Sequence, residues 1–123
     1  MRVMIAGVAA LALCACSRSD ECGIPEYEAA RPDQGVPGAM AASRSCVEHW
    51  AKTYSRSDES AGDVADAAVL ECLDEIKILS DLGKREPETW GSMSVAELRA
   101  NFREDALKTV ISFRQVGCSS IFG

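Results

Sequence analysis

Six cysteines stand in a chain of 123 residues, and where they fall constrains the fold more than any other feature. Cys14 and Cys16 sit together near the start, whereas Cys22, Cys46, Cys72 and Cys118 are spread along the rest. In an exported small domain that even set reads as two disulfides. The bulk composition excludes classes rather than assigning one. A formal charge of −6, from 13 Lys+Arg against 19 Asp+Glu, argues against nucleic-acid binding, which needs a cationic stripe to release counterions from phosphates. A hydrophobic share of 47% with 26% charged residues suits one packed domain and argues against wholesale disorder. The single histidine excludes every multi-histidine metal site.

Met1-Arg2 is followed by an uncharged apolar run, Val3 to Leu13. Such a run is about eleven residues long, short of the roughly twenty that span a bilayer, and it matches the h-region of a secretory signal. It closes on Leu13-Cys14-Ala15-Cys16-Ser17, which resembles the lipobox of bacterial lipoproteins: a Leu three residues before the cut, a small residue just before it, and Cys immediately after. The resemblance implies a signal peptide over residues 1–15 and a mature N-terminus at Cys16, bearing thioether-linked diacylglycerol and commonly a third chain on its amine. Two or more acyl chains anchor stably, whereas one binds only marginally. Ser17 after the anchor residue is compatible with the outer membrane in such proteins, with the domain facing the periplasm. The competing reading is an ordinary cut after Ala15 that releases a soluble periplasmic protein. In both readings Cys14 leaves with the signal peptide and Arg2 goes with it, so the mature domain is more acidic still.

The mature chain divides into an extended tether over residues 16–37 and a helical domain over 38–123. Gly23, Pro25, Pro32, Gly35 and Pro37 punctuate the tether, which has no sustained period. A first helix is expected at about 39–56, where Val47, Trp50, Ala51 and Tyr54 share one face and Arg44–Glu48 and Glu48–Lys52 pair on the other. A second is expected at about 61–82, capped by Ser60, with the stripe Ala61, Ala65, Ala68, Cys72, Ile76 and Leu79. Gly83 suits a left-handed cap at its end, and Pro87 blocks continuation. A third is expected at about 95–116. Ser94-Val95-Ala96-Glu97 is a capping box, with Met93 and Leu98 as a hydrophobic staple, and Gly117 is the stop. The fold class is therefore all-α: an antiparallel three-helix arrangement stapled by two disulfides.

Helix register pairs the cysteines. With the first turn centred on Glu59, level residues on helices one and two have numbers adding to about 118, a condition that Cys46 and Cys72 meet. The close approach that a disulfide requires is helped by alternating large and small residues, such as Trp50 against Ala68. Across the second turn Cys118 falls roughly 18 Å from the level of Cys72, beside the turn between helices one and two. Its partner is then Cys22, which the tether can reach by running back along helix one. The two links close loops of roughly 25 and roughly 95 residues, and each is expected to stabilise the fold by about 3–5 kcal/mol.

Cys46-Val47-Glu48-His49, with Cys72 nearby, offers three residues of a zinc type, but thiolates held in disulfides cannot serve as ligands. No metal or cofactor is expected. Glu48 and His49 are consecutive on a helix and point about 100° apart, poorly placed to act together in acid–base chemistry, so His49 reads as structural or exposed and no catalytic residue is assigned. Asp63, Asp66, Glu71, Asp74 and Glu75 give the second helix an acidic outer face. Trp50 and Tyr54 read as core. Trp90, in the Pro87–Gly91 turn, is the candidate exposed contact.

The stretch from Cys46 to Ser57, together with Val64-Ala65-Asp66-Ala67-Ala68-Val69 and Cys72, resembles a loose group of small, uncharacterised exported bacterial helical proteins. What the resemblance implies is a helical hairpin with paired cysteines and no assigned site. The expected function is that of a non-enzymatic, lipid-anchored envelope protein acting through contacts with another envelope protein, meeting the membrane only through its anchor. An acidic inhibitor or chaperone-like binder of a cationic envelope enzyme is the alternative.

Overall fold

The computed structural model describes residues 22–118. The expected signal peptide over 1–15, the lipidation site Cys16 and the first tether residues lie outside that range. Among the described residues four helices form the fold where the sequence leads one to expect three. They are α1 (Gly35–Tyr54), α2 (Ala61–Glu71), α3 (Leu73–Arg85) and α4 (Val95–Gln115), with a 3-10 turn at Pro32–Gln34 and a single helical turn at Pro87–Trp90. The all-α class holds among the described residues, but the three-helix count does not.

The expected helix over 61–82 is two helices that meet at Cys72, where the backbone leaves the helical region with φ −106° and ψ 16°. The Cys72 N–H bonds back only three residues, to the Val69 carbonyl at 3.0 Å, before Ile76 reaches the Cys72 carbonyl and starts the next helix. An i→i−3 bond tightens the turn and redirects the axis. No Gly or Pro marks the place, and the apolar stripe crosses it unbroken, so periodicity alone describes one rod. The bend is a tertiary feature. It falls on the residue bonded covalently to α1; α2 packs on both α1 and α4, whereas α3 packs on α1 and meets α4 only lightly.

The helix limits differ from expectation in two further ways. α1 starts at Gly35 rather than Ala39 and ends at Tyr54 rather than Arg56. Gly35 turns the chain in from the 3-10 turn with φ +72°, a conformation costly for any side chain, and Pro37 sits within the first turn, where N–H groups lack intrahelical partners anyway. Gly83 is not a left-handed cap: it lies inside α3, which continues to Arg85. Its bareness serves packing instead, since a Cβ there would stand 3.3 Å from the Gly91 carbonyl oxygen.

α4 starts where the capping box predicts. Ser94 Oγ accepts from Glu97 N–H at 3.1 Å, and Ser94 N–H donates to Glu97 Oε2 at 3.3 Å. At α2 the Asp63 N–H donates to Ser60 Oγ at 3.1 Å, with no returning carboxylate bond.

Ala39, Ser43, Cys46 and Ala51 on α1, and Ala65, Ala68 and Cys72 beyond the turn, have no exposed surface at all. These small residues let the backbones face each other at a Cα separation of 5.9 Å at Cys46–Cys72, within the range that a disulfide spans. Larger side chains, Val64, Ile76, Leu79, Phe102 and Val110, fill the rest of the core. Buried Ser43 and Ser55 donate to carbonyls one turn back, Ala39 O and Ala51 O, and Ser80 donates to Met93 O, so their hydroxyls are satisfied. Arg44, Val47 and Glu48 border the same surface depression as Phe102, Asp105 and Thr109, and Lys52 lies opposite Ser112 and Val116. α1 and α4 therefore run in the same direction. The Asp66–Arg103 ion pair, with Leu70 near Ala96, sets α2 antiparallel to α4.

Candidate functional site

Residues 22–31 form a strap without helix or strand, and it runs back along α1. Lys52 Nζ donates to Gly23 O at 3.3 Å, His49 Nδ1–H to Pro25 O at 2.8 Å, and Trp50 Nε1–H to the Tyr27 hydroxyl at 2.9 Å. The Cys22–Cys118 bond, with a Cα separation of 5.1 Å across 96 positions, fastens the outer end of the strap to the residue just past α4.

Beneath the strap lies a continuous aromatic run. The Tyr27 and His49 rings meet edge-on at 5.1 Å, His49 and Trp50 at 5.0 Å, and Trp50 and Tyr54 lie tilted at 5.3 Å. Such pairs stabilise by about 0.5–1.5 kcal/mol beyond the area they bury. Trp50 and Tyr54 are half-buried, so the expectation that they sit in the core holds only in part: their flanks pack on the core and their outer faces meet the strap or solvent. The Tyr54 hydroxyl donates to Glu71 Oε1 at 2.7 Å, and this bond, then burial, then the carboxylate's charge, hold the phenol pKa above its ordinary 10.0.

His49 is thereby tied to the strap. Its Nδ1 faces a carbonyl, which only accepts, so that nitrogen carries the proton. Glu48 turns to Lys52 at 2.9 Å, and the expected Arg44–Glu48 pair does not form. No group of three His, Cys, Asp or Glu residues is arranged to hold a metal among the described residues. Cys46 and Cys72, which a zinc site would need, are joined as a disulfide.

The acidic face of the expected second helix is smaller than its composition suggests. Asp66 pairs with Arg103 at 2.5 Å, Glu71 accepts from Tyr54, and Glu75 is buried to 8% exposure. Trp90 stands 47% exposed at the end of the Pro87–Trp90 turn, over a small depression lined by Met40, Leu79 and Met93. Between α1 and α4 lies an open cleft of about 530 Å³, with Phe113 and Val116 as apolar floor and Glu48, Lys52 and Lys108 on its rim. Val116 and Ile111 at this end, and Leu70 on α2, are 52%, 44% and 54% exposed. No helix among the described residues is long and apolar enough to cross a membrane.

Three residues that matter here are absent from the sequence reading. Tyr27 had a local signal: a lone aromatic between two glutamates in a Pro/Gly-rich segment is costly to leave in water. Arg103 and Arg114 had none, because each acts on a segment far away in the chain. Arg114 Nε donates to Ser55 O at 3.0 Å, and its Nη2 donates to Ser57 O at 3.0 Å and Glu59 O at 2.8 Å, closing the turn between α1 and α2.

Comparison of the chain with protein-family models, with curated proteins and with solved structures finds no match in any of the three.

Proposed function

We propose that this chain is an exported, lipid-anchored helical domain of the bacterial cell envelope that acts by binding another envelope protein rather than by catalysis. The observation that carries the export half is the pair of disulfides, Cys22–Cys118 and Cys46–Cys72, because such bonds persist in oxidising compartments and are rare in reducing ones. The lipobox-like Leu13-Cys14-Ala15-Cys16 supports Cys16 as the anchor, and Ser17 after it is compatible with the outer membrane, periplasmic side, as the destination. The binding half is supported by the large apolar side chains left in water, Leu70, Trp90, Ile111 and Val116. The reading as an acidic binder of a cationic enzyme is weakened, since Asp66 and Glu71 have partners within the fold and Glu75 is buried.

The test is crosslinking in intact native cells, with thiols alkylated on lysis, followed by non-reducing mass spectrometry. The expected result is diacylglycerol on Cys16, both linkages intact and a reproducible crosslinked protein. Four alkylated thiols at Cys22, Cys46, Cys72 and Cys118 would overturn export. An N-terminus at Cys16 without lipid would overturn the anchor alone.

A further inference from the structure

We propose that the Cys22–Cys118 bond is a thiol–disulfide exchange site for a dithiol reductant, and that its opening releases the strap over residues 22–31 from α1 while Cys46–Cys72 holds the helical body. The two bonds lie in opposite surroundings. Cys46 and Cys72 have no exposed surface and sit where α1 meets the α2–α3 junction, between helices on both sides. Cys22 is partly exposed in a segment without regular structure, and Cys118, 5% exposed, follows the last turn of α4. Exchange requires a thiolate to reach a disulfide sulfur, so it proceeds at Cys22 in the folded protein and at Cys46–Cys72 only when the helices part.

The thiolate of the dithiol attacks Cys22 Sγ, the Cys22–Cys118 bond breaks, and Cys118 leaves as a thiolate that takes a proton from solvent. The second thiol of the reductant, deprotonated, then attacks the sulfur bound to Cys22, closes its own disulfide and frees the Cys22 thiol. Two electrons and two protons have passed from the dithiol to the pair.

Release follows from how little else holds the strap. It makes no backbone–backbone hydrogen bond to α1 among the described residues. What fastens it, besides the disulfide, are the three side-chain hydrogen bonds from His49, Trp50 and Lys52, the seating of Tyr27 on the core edge and the burial of the small Ala30 side chain at its inner end. Segments with few buried contacts and solvent-exposed hydrogen bonds open first. Opening strips Tyr27 from His49 and Trp50 and leaves the aromatic run on α1 uncovered. The helices themselves keep their packing through Cys46–Cys72. This inference rests on the strap's geometry and needs neither lipidation nor the envelope partner.

The experiment is graded reduction of the full chain with dithiothreitol in native buffer, with timed alkylation and peptide mapping. A glutamate-specific protease, applied in parallel, reports on the exposed Glu26 and Glu28 within the strap. Alkylation of Cys22 and Cys118 at least about tenfold faster than of Cys46 and Cys72 is expected, with strap cleavage accelerating over the same interval. The Cys22→Ser variant should show the accelerated cleavage without reductant, and the wild-type time courses decide the matter if that variant folds poorly. Simultaneous labelling of all four cysteines, or prior labelling of Cys46 and Cys72, overturns the exchange site. Labelling of Cys22 and Cys118 with cleavage unchanged overturns release.

Discussion

Arg114 does with one side chain what no local sequence signal provides for. The turn after α1 leaves the carbonyls of Ser55, Ser57 and Glu59 without backbone partners, and the guanidinium fork meets all three from α4. Truncation to alanine leaves a carbonyl of the fully buried Ser55 without its charged donor, so Arg114→Ala should cost about 2–3 kcal/mol in urea unfolding. Arg114→Lys should recover only part, because an ammonium cannot present the planar fork. Tyr54 makes a different residue-scale prediction. Its pKa is raised above 10.0, chiefly by the hydrogen bond to Glu71, so the fold favours the neutral phenol. Its contribution to stability is fully present below the ordinary value and is lost as the pH rises through the higher folded one. The stability difference between wild type and Tyr54→Phe should therefore be flat from about pH 7 to 9 and shrink above about pH 10 in chemical unfolding. A difference that stays constant through the alkaline range would show that the Glu71 bond does not set the titration.

Among the elements, the start of α4 was legible to the residue and the break in the α2–α3 rod was not. The start of α4 is written in four consecutive positions, because capping chemistry is local: Ser94 and Glu97 satisfy each other's amides whatever the rest of the chain does. Ser94→Ala should accordingly cost about 1 kcal/mol, visible as a fall of roughly 4–8 °C in the midpoint of thermal unfolding. Ser60→Ala, which removes the single bond from Asp63 N–H, should cost less. The break at Cys72 belongs to the opposite case. An apolar stripe records which face is inside, and that face is the same on both sides of the bend, so the period carries no trace of the change in axis. The misread role of Gly83 has a related cause: a glycine near a helix end signals a left-handed cap or a close backbone neighbour with equal force, and here the neighbour is Gly91.

For the molecule as a whole, the two disulfides divide the work unequally. The chain-entropy model assigns about 3.5 kcal/mol to the shorter loop, closed by Cys46–Cys72, and about 4.7 kcal/mol to the longer one, closed by Cys22–Cys118. The structure points to the reverse order. Removing Cys22–Cys118 lets the strap fray and so lowers the free energy of the folded variant, whereas removing Cys46–Cys72 also disturbs sulfurs packed without any exposed surface. Thermal unfolding of the paired variants Cys46→Ala/Cys72→Ala and Cys22→Ala/Cys118→Ala should show the larger fall in the first. A larger fall in the second would mean that the strap is part of the cooperative unit rather than a cover upon it.

By itself the chain's sequence determined its helical class, the limits set by Ser60, Ser94 and Gly117, and the turn level at which Cys46 and Cys72 come together. Each of these depends on neighbours within a few positions or on the constant rise of a helix, so counting along the chain suffices. Tertiary structure alone decided the bend at Cys72, the closure of the first turn by Arg114, the withdrawal of Glu75 from the acidic face and the seating of Tyr27 beside His49 and Trp50. Those outcomes depend on which surfaces meet after the helices have packed, and the free energies involved are differences between competing contacts that no local pattern records.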